Sequence, residues 1–318
     1  MLRTFVAAAT GLAAASVPVA ADKSSTTLWL RSNGQKCSDM WSEAIKSRPN
    51  DTFAPTILDK LLGGASSLCS PNSFGGIAVN CGATVGTTAG TEFVEPDSSD
   101  SAAISDIVKT FGSQGWGLTF VVDISSAAQA KNIIAGVGSF SARVKSYLAK
   151  TGFTGFQVDL RNLERDDDLV KPLTHLLLSL SKEVAVPVSV VITGSSSASE
   201  SNDPIDLATI GAASTGAVAP LTVVTTGTFS SNSTVLESIV NTTSDGFGSA
   251  AISGAVYAPG LSMSDEYDEF KPKMYELWDK FDFLKARNVT KVGKCWLVNN
   301  PAQFSDFHIV FGCSCSSI

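Results

Sequence analysis

Short β-branched and apolar runs alternate along this chain with segments whose apolar residues recur at helical spacing. Thr27–Leu30 and Gly76–Asn80 read as the first two strands, with a helix over Thr56–Leu62 between them. Asp100–Phe111 reads as a helix, and Leu118–Ile124 (LTFVVDI) is a β-branched strand. Phe140, Val144, Tyr147 and Leu148 fall at i, i+4, i+7 and i+8, one face of a helix that Gly152 ends. A strand over Gly155–Leu160 follows, and then a helix with the stripe Leu169, Leu173, Leu176, Leu177 and Leu180. Val186–Thr193 is β-branched on both faces, as in a parallel sheet covered on both sides. Strands at Leu221–Thr226, Ala250–Tyr257 and Lys291–Val298 complete the series, with helices at Val235–Val240 and Glu269–Lys285. Eight strands with helix-length connections predict an α/β fold, a single (β/α)8 TIM barrel. An open doubly wound sheet usually carries a Gly-rich phosphate loop after its first strand, and none is present here.

The N-terminus follows a different pattern. Arg3 precedes an apolar, Ala-rich run over Phe5–Ala15, and Val19-Ala20-Ala21 sets small residues before Asp22-Lys23. This is the layout of a secretory signal peptide over residues 1–21, which leaves 22–318 as the mature barrel domain. The six cysteines, Cys37, Cys69, Cys81, Cys295, Cys313 and Cys315, suit an oxidising compartment. They allow 15 connectivities; one use for them is to tie the N-terminal third to the C-terminal tail. N-glycosylation sequons at Asn50, Asn232, Asn241 and Asn288 agree with a secreted, extracellular glycoprotein.

Charge and composition narrow the function. With 23 basic and 30 acidic residues, the chain carries a formal charge of −7, which argues against nucleic acid or an anionic membrane as partner. Two histidines, His175 and His308, exclude a multi-histidine metal centre. No metal or cofactor is expected. His175 lies on the leucine-striped helix as an interfacial residue, and Trp29 and Trp116 read as packing residues.

The segment 138–180 reads GSFSARVKSYLAKTGFTGFQVDLRNLERDDDLVKPLTHLLLSL. Its order of helix, Gly-Phe turn, short strand and acidic loop resembles the fourth βα unit of the family 18 glycoside hydrolases, the chitinases. There the strand carries D-G-x-D-x-D-x-E. Thr119–Ser125 is similar to that family's third strand, without its S-x-G-G. Val292–Asn299 is similar to the eighth, with Trp296 where the family has its pocket-floor tryptophan. The resemblance implies a substrate-assisted mechanism in which the Glu protonates the leaving oxygen while the preceding Asp orients the substrate's acetamido group.

The departures carry the functional expectation. On that alignment the Glu position is Arg161, the first two acids are Thr154 and Gln157, and only Asp159 is kept. The sixth strand, LTVVTTGTF, lacks the family's Tyr-Asp pair. A guanidinium stays protonated and cannot act as a general acid. Asp159 and Arg161 point the same way by the strand period, either as an ion pair plugging the pocket or as ligand contacts. Glu164 and Asp166–Asp168 either supply a relocated acid or open the next helix, where negative charge favours the N-terminal dipole. Asp123, late in the third strand, is a further carboxylate near the same face. The expected function is a secreted chitinase-like protein that binds an oligosaccharide (chitin or N-acetylglucosamine oligomers) or a glycoprotein without hydrolysis, through Trp296, Asp159, Arg161 and Gln157. The alternative is an active glycoside hydrolase using Asp159, Glu164 or Asp123. A third possibility is a structural barrel with no small ligand.

Overall fold

The computed structural model describes residues 26–31, 36–46, 74–113, 115–194, 203–214, 221–225, 252–254 and 294–295, with residues 238 and 241. The strands among them are β1 (Thr26–Arg31), β2 (Phe74–Asn80), β3 (Gly117–Asp123), β4 (Gly155–Asp159), β5 (Val188–Ile192), β6 (Thr222–Thr225), β7 (Ile252–Gly254) and β8 (Lys294–Cys295). The helices are α1 (Cys37–Lys46), α2 (Ser98–Gly112), α3 (Ala127–Ala135), α4 (Val137–Thr151), α5 (Asp167–Glu183) and α6 (Leu207–Ser214). All adjacent strands are parallel, in the spatial order β7-β6-β5-β4-β3-β2-β1-β8. The strand order therefore follows the sequence from β1 to β7, and β8 pairs beside β1.

Helices on both sides of β3 in sequence pack on the same face of it. The β3 residue Leu118 lies under α2, whose Gly112 leaves 3.3 Å between a hypothetical Cβ and the Leu118 side chain. Phe120 packs on Tyr147 of α4 with ring centroids 4.8 Å apart and the planes inclined by 51°. Phe156 of β4 faces Phe140 of α4 at 6.4 Å. Even-numbered β3 and β4 positions thus form the outer, helix-covered face, because successive strand side chains alternate. The aromatic cluster continues through Phe93 and Phe153, each within 6.5 Å of Tyr147. Sequential parallel strands joined through helices are the arrangement of repeated βα units.

Local signals account for the helix ends. Asp97 caps α2 by accepting from the Asp100 amide, and Ser126 caps α3 through Gln129 N–H. Gly152, at φ 84°, ends α4 in the left-handed conformation that glycine adopts at least cost. Asp166 caps α5, and Asp167 and Asp168 occupy its first turn. Leu173, Leu176, Leu177 and Leu180 of that helix are buried, while His175 is exposed rather than interfacial. Trp116 is buried against Phe111 at 5.0 Å.

One disulfide joins Cys37, at the start of α1, to Cys81, immediately after β2. Both cysteines lie in the N-terminal third, so this bridge does not reach the C-terminal tail. The residues of the 1–21 leader, the helices expected at Thr56–Leu62 and Glu269–Lys285, and most of Val235–Val240 lie outside the described residues, as do Cys69, Cys313, Cys315, Trp296 and His308. No described helix is long and apolar enough to cross a membrane.

Candidate functional site

The inner face of the sheet carries Thr119, Val121 and Asp123 on β3, Gly155, Gln157 and Asp159 on β4, and Ser189 and Val191 on β5. On these three strands that face mixes two valines with small and polar residues. Gln157 is fully buried and donates from Nε2 to Ser189 Oγ at 2.7 Å. At Gly155 a Cβ would fall 2.8 Å from Thr119 Oγ1, so the absence of a side chain lets β3 and β4 pair closely.

Polar groups converge at the C-terminal ends of the strands, where α/β sheets of either topology bind ligands. Asp123 and Asp159 are Cα partners in the β3–β4 ladder. Asn80, the last residue of β2, donates from Nδ2 to Asp123 Oδ1 at 2.7 Å. Both are half-buried. Asp159 is only 3% exposed and is held by its neighbour two residues on. Arg161 Nε lies 2.9 and 3.0 Å from the two Asp159 oxygens, and Nη2 also donates to Oδ2. The Arg161 amide adds a fourth bond, to Oδ1 at 3.0 Å.

This closed geometry follows from how β4 ends. Leu160 N–H bonds Val191 O at 2.8 Å, and Leu163 N–H bonds Leu160 O at 3.0 Å. The first bond extends the β4–β5 pairing by one residue and the second closes a turn right after it, where Arg161 reaches Asp159. A bidentate guanidinium–carboxylate pair is the strongest geometry such groups adopt.

The other acids of the loop stand apart from this pair. Glu164 is exposed. Asp166 is the N-cap of α5 and lies 3.9 Å from Lys131, while Asp167 accepts from Arg165 Nε at 2.8 Å. Arg165 also donates to Asp203 O at 3.2 Å, linking the loops after β4 and β5. The structure thus brings together Asp123, Asp159 and Arg161, with Gln157 beneath them, and leaves Glu164 outside. Asn80 was not among the residues singled out from the sequence. A polar residue closing an otherwise apolar strand is the signal that could have found it. No group of three or more His, Cys, Asp or Glu side chains suited to a metal forms among the described residues.

The loop between β2 and α2 is folded outward from these strand ends onto the helices. Gln129 donates to Val85 O at 2.7 Å, Asn132 to Gly86 O at 2.9 Å, and Arg143 to Gly90 O and Phe93 O. Glu92 inserts its buried side chain against Gly136, where any Cβ would lie 2.6 Å from Glu92 Cγ. Its carboxylate accepts the Gly90 amide at 2.9 Å. That hydrogen bond, aided by the charge of Arg143, holds Glu92 below its ordinary value of 4.5. A lowered native pKa stabilises the fold above the ordinary value, and this contribution disappears as pH falls through the native one. Thermal melts from pH 7 down to pH 3 are expected to show a shallower acid-side loss for Glu92→Gln than for the parent. Identical slopes would remove Glu92 from the acid response.

No family model and no curated protein sequence matches the chain. Solved structures do. The spore cortex-lytic enzyme SleL of Bacillus megaterium QM B1551 aligns with a TM-score of 0.55 at 11% identity, covering 86% of this chain and 71% of that one. SleL of Bacillus cereus aligns at 0.54 and 8% identity, over 85% and 69%. A glycoside hydrolase family 5 enzyme of Prevotella bryantii B14 aligns at 0.48 and 10%, over 74% and 78%. At these identities the likeness to the SleL enzymes shows a shared fold.

Proposed function

We propose that this chain is a secreted, chitinase-like barrel that binds carbohydrate at its strand ends and does not hydrolyse it. Residues 1–21 are its signal peptide and 22–318 a single domain, its sheet closed by pairing of β7 with β8. The oligosaccharide class is chitin or N-acetylglucosamine oligomers, free or on a glycoprotein. Gln157, Asp159 and Arg161 form the floor of the site, and Trp296 is its stacking platform.

The observation that carries this reading is the Arg161–Asp159 pair. The residue aligned with the chitinase acid is a guanidinium, and it engages both oxygens of the aspartate aligned with the acetamido-orienting group. A carboxylate held in this way is not available to a substrate, and its partner has no proton to give near neutral pH. Export is supported by the Cys37–Cys81 disulfide. Hydrolysis through a relocated acid is the weaker reading. Glu164, its first candidate, is exposed on the turn before α5, and Asp123 already accepts from Asn80.

Titration calorimetry of the mature protein with a chitin tetrasaccharide tests the reading, with the products resolved by chromatography. The expected result is saturable heat and intact tetrasaccharide. Shortened products would establish an enzyme and overturn the assignment of Arg161. Absence of heat across chitin, peptidoglycan and xyloglucan fragments would remove the carbohydrate reading altogether.

A further inference from the structure

We infer that a second, anion-binding site lies on the outer helical wall, in the cavity between α4 and α5, and takes a small phosphate or sulfate ester. It is separate from the carbohydrate reading of the strand ends and does not depend on it.

A surface cavity of about 450 Å³ opens between these helices, lined by Gly138, Ser141, Ala142, Lys145, Lys182 and Glu183. The first four fall at i, i+3, i+4 and i+7 on α4, which is one helix face. Lys182 and Glu183 close α5 shortly before β5 begins, so the cavity lies toward the N-terminal ends of the strands, away from Asp159 and Arg161. At Gly138 a Cβ would meet nothing within 4 Å, which leaves the wall open there.

Ser141 is the residue that points to a ligand. It is 3% exposed, and its buried hydroxyl has no hydrogen-bond partner. A helical serine or threonine commonly satisfies its hydroxyl on the carbonyl four residues back, as Thr174 of α5 does on Val170 O at 2.6 Å. An unpaired buried hydroxyl costs free energy, and a ligand in the cavity would remove that cost. Lys145 and Lys182 line the same cavity from different helices. Among the described residues, neither lysine forms an ion pair or a side-chain hydrogen bond, and Glu183 forms none either.

This set of groups selects the ligand class. A hydroxyl and two ammonium groups around one space supply donors for the several acceptor oxygens of a phosphate or sulfate. Glu183 only accepts, so it repels a bare anion and suits a hydroxyl on the organic part of an ester. The volume lies within the range of roughly 300–1,000 Å³ common for small-molecule sites, so that organic part has room. Two lysines on a chain of formal charge −7 are too few for nucleic acid or an anionic membrane. One carboxylate is too few for a metal.

Amide NMR titration of the purified protein with glucose 6-phosphate tests the site, with glucose 6-sulfate in parallel to show which anion it prefers. Saturable shifts at Gly138 and Ala142 are expected with at least one ester. Ser141→Ala should raise Kd roughly ten-fold, the scale of a hydrogen bond to a charged group. Because that variant removes an unpaired hydroxyl, its melting temperature without ligand should equal or exceed the parent's. A clear fall would mean that the fold itself satisfies the hydroxyl, and would overturn the site. Lys145→Gln combined with Lys182→Gln should weaken binding at least as far and flatten its dependence on salt. Inorganic phosphate should bind more weakly than the ester, and Glu183→Gln should narrow that difference. Equal affinity of the parent for ester and inorganic phosphate would overturn the ester assignment. Parent-like Kd in both the serine and the lysine variants, or no saturable shift at these amides in the parent, would overturn the site.

Discussion

Arg161→Ala is expected to destabilise the fold by about 3–5 kcal/mol, because it leaves a buried carboxylate without its charge partner. The Asp159 side chain is 2% exposed, too little for water to replace the guanidinium. For a chain of this size the loss corresponds to a fall in melting temperature on the order of 10 °C, read by circular dichroism. The paired replacement Asp159→Leu with Arg161→Met tests the cause. It removes both charges and restores packing, and such exchanges are often neutral or stabilising. The double variant is therefore expected to melt well above Arg161→Ala. If both variants melt alike, the loss comes from the volume of the arginine side chain and not from the uncompensated charge. If Arg161→Ala melts with the parent, the pair is not buried in solution and the closed floor of the site is wrong.

The second large effect is expected at the Cys37–Cys81 bridge. The two cysteines are 44 residues apart in sequence. Releasing a loop of that length from the unfolded chain corresponds to about 4 kcal/mol by the chain-entropy relation. The double variant Cys37→Ala, Cys81→Ala should therefore melt well below the parent. Anchoring of α1 does not rest on the bridge alone: Ser38 N–H bonds Asp100 Oδ1 at 2.8 Å, and the Trp41 indole bonds Asp106 Oδ2 at 2.6 Å. These contacts should keep α1 docked on α2 in the folded variant, so tryptophan fluorescence before the transition should stay native. A parent-like melting temperature would mean that the bridge is not formed in the protein in solution.

The strand and helix alternation was legible in the sequence wherever the apolar period was long and unbroken. LTFVVDI became β3, and the leucine stripe became the buried face of α5. The helices α3 and α6 were missed because their sequences lack that stripe, whereas α1 was missed although Cys37, Trp41 and Ile45 fall at i, i+4 and i+8. AAQAKNIIA has four alanines among nine residues, and LATIGAAS mixes small residues with a glycine. Such segments become helical through what they pack on, as α3 does by burying Ala130, Asn132 and Ile133.

Partnership was not readable. The period of two sets Asp159 and Arg161 on one side of a strand, but an ion pair and a ligand contact satisfy it equally. The folded chain decides between them: the turn closed by Leu163 N–H on Leu160 O follows β4 directly, and the Arg161 guanidinium engages both Asp159 oxygens. Asn80 and Asp123 are 43 residues apart, and Cys37 pairs with Cys81 among 15 possible arrangements. Residue type and spacing thus determined the α/β class, because the apolar period that sets it is a local property of the chain. Which polar groups pair with one another was decided by strand register and loop direction, since those contacts form between segments that only the folded sheet brings together.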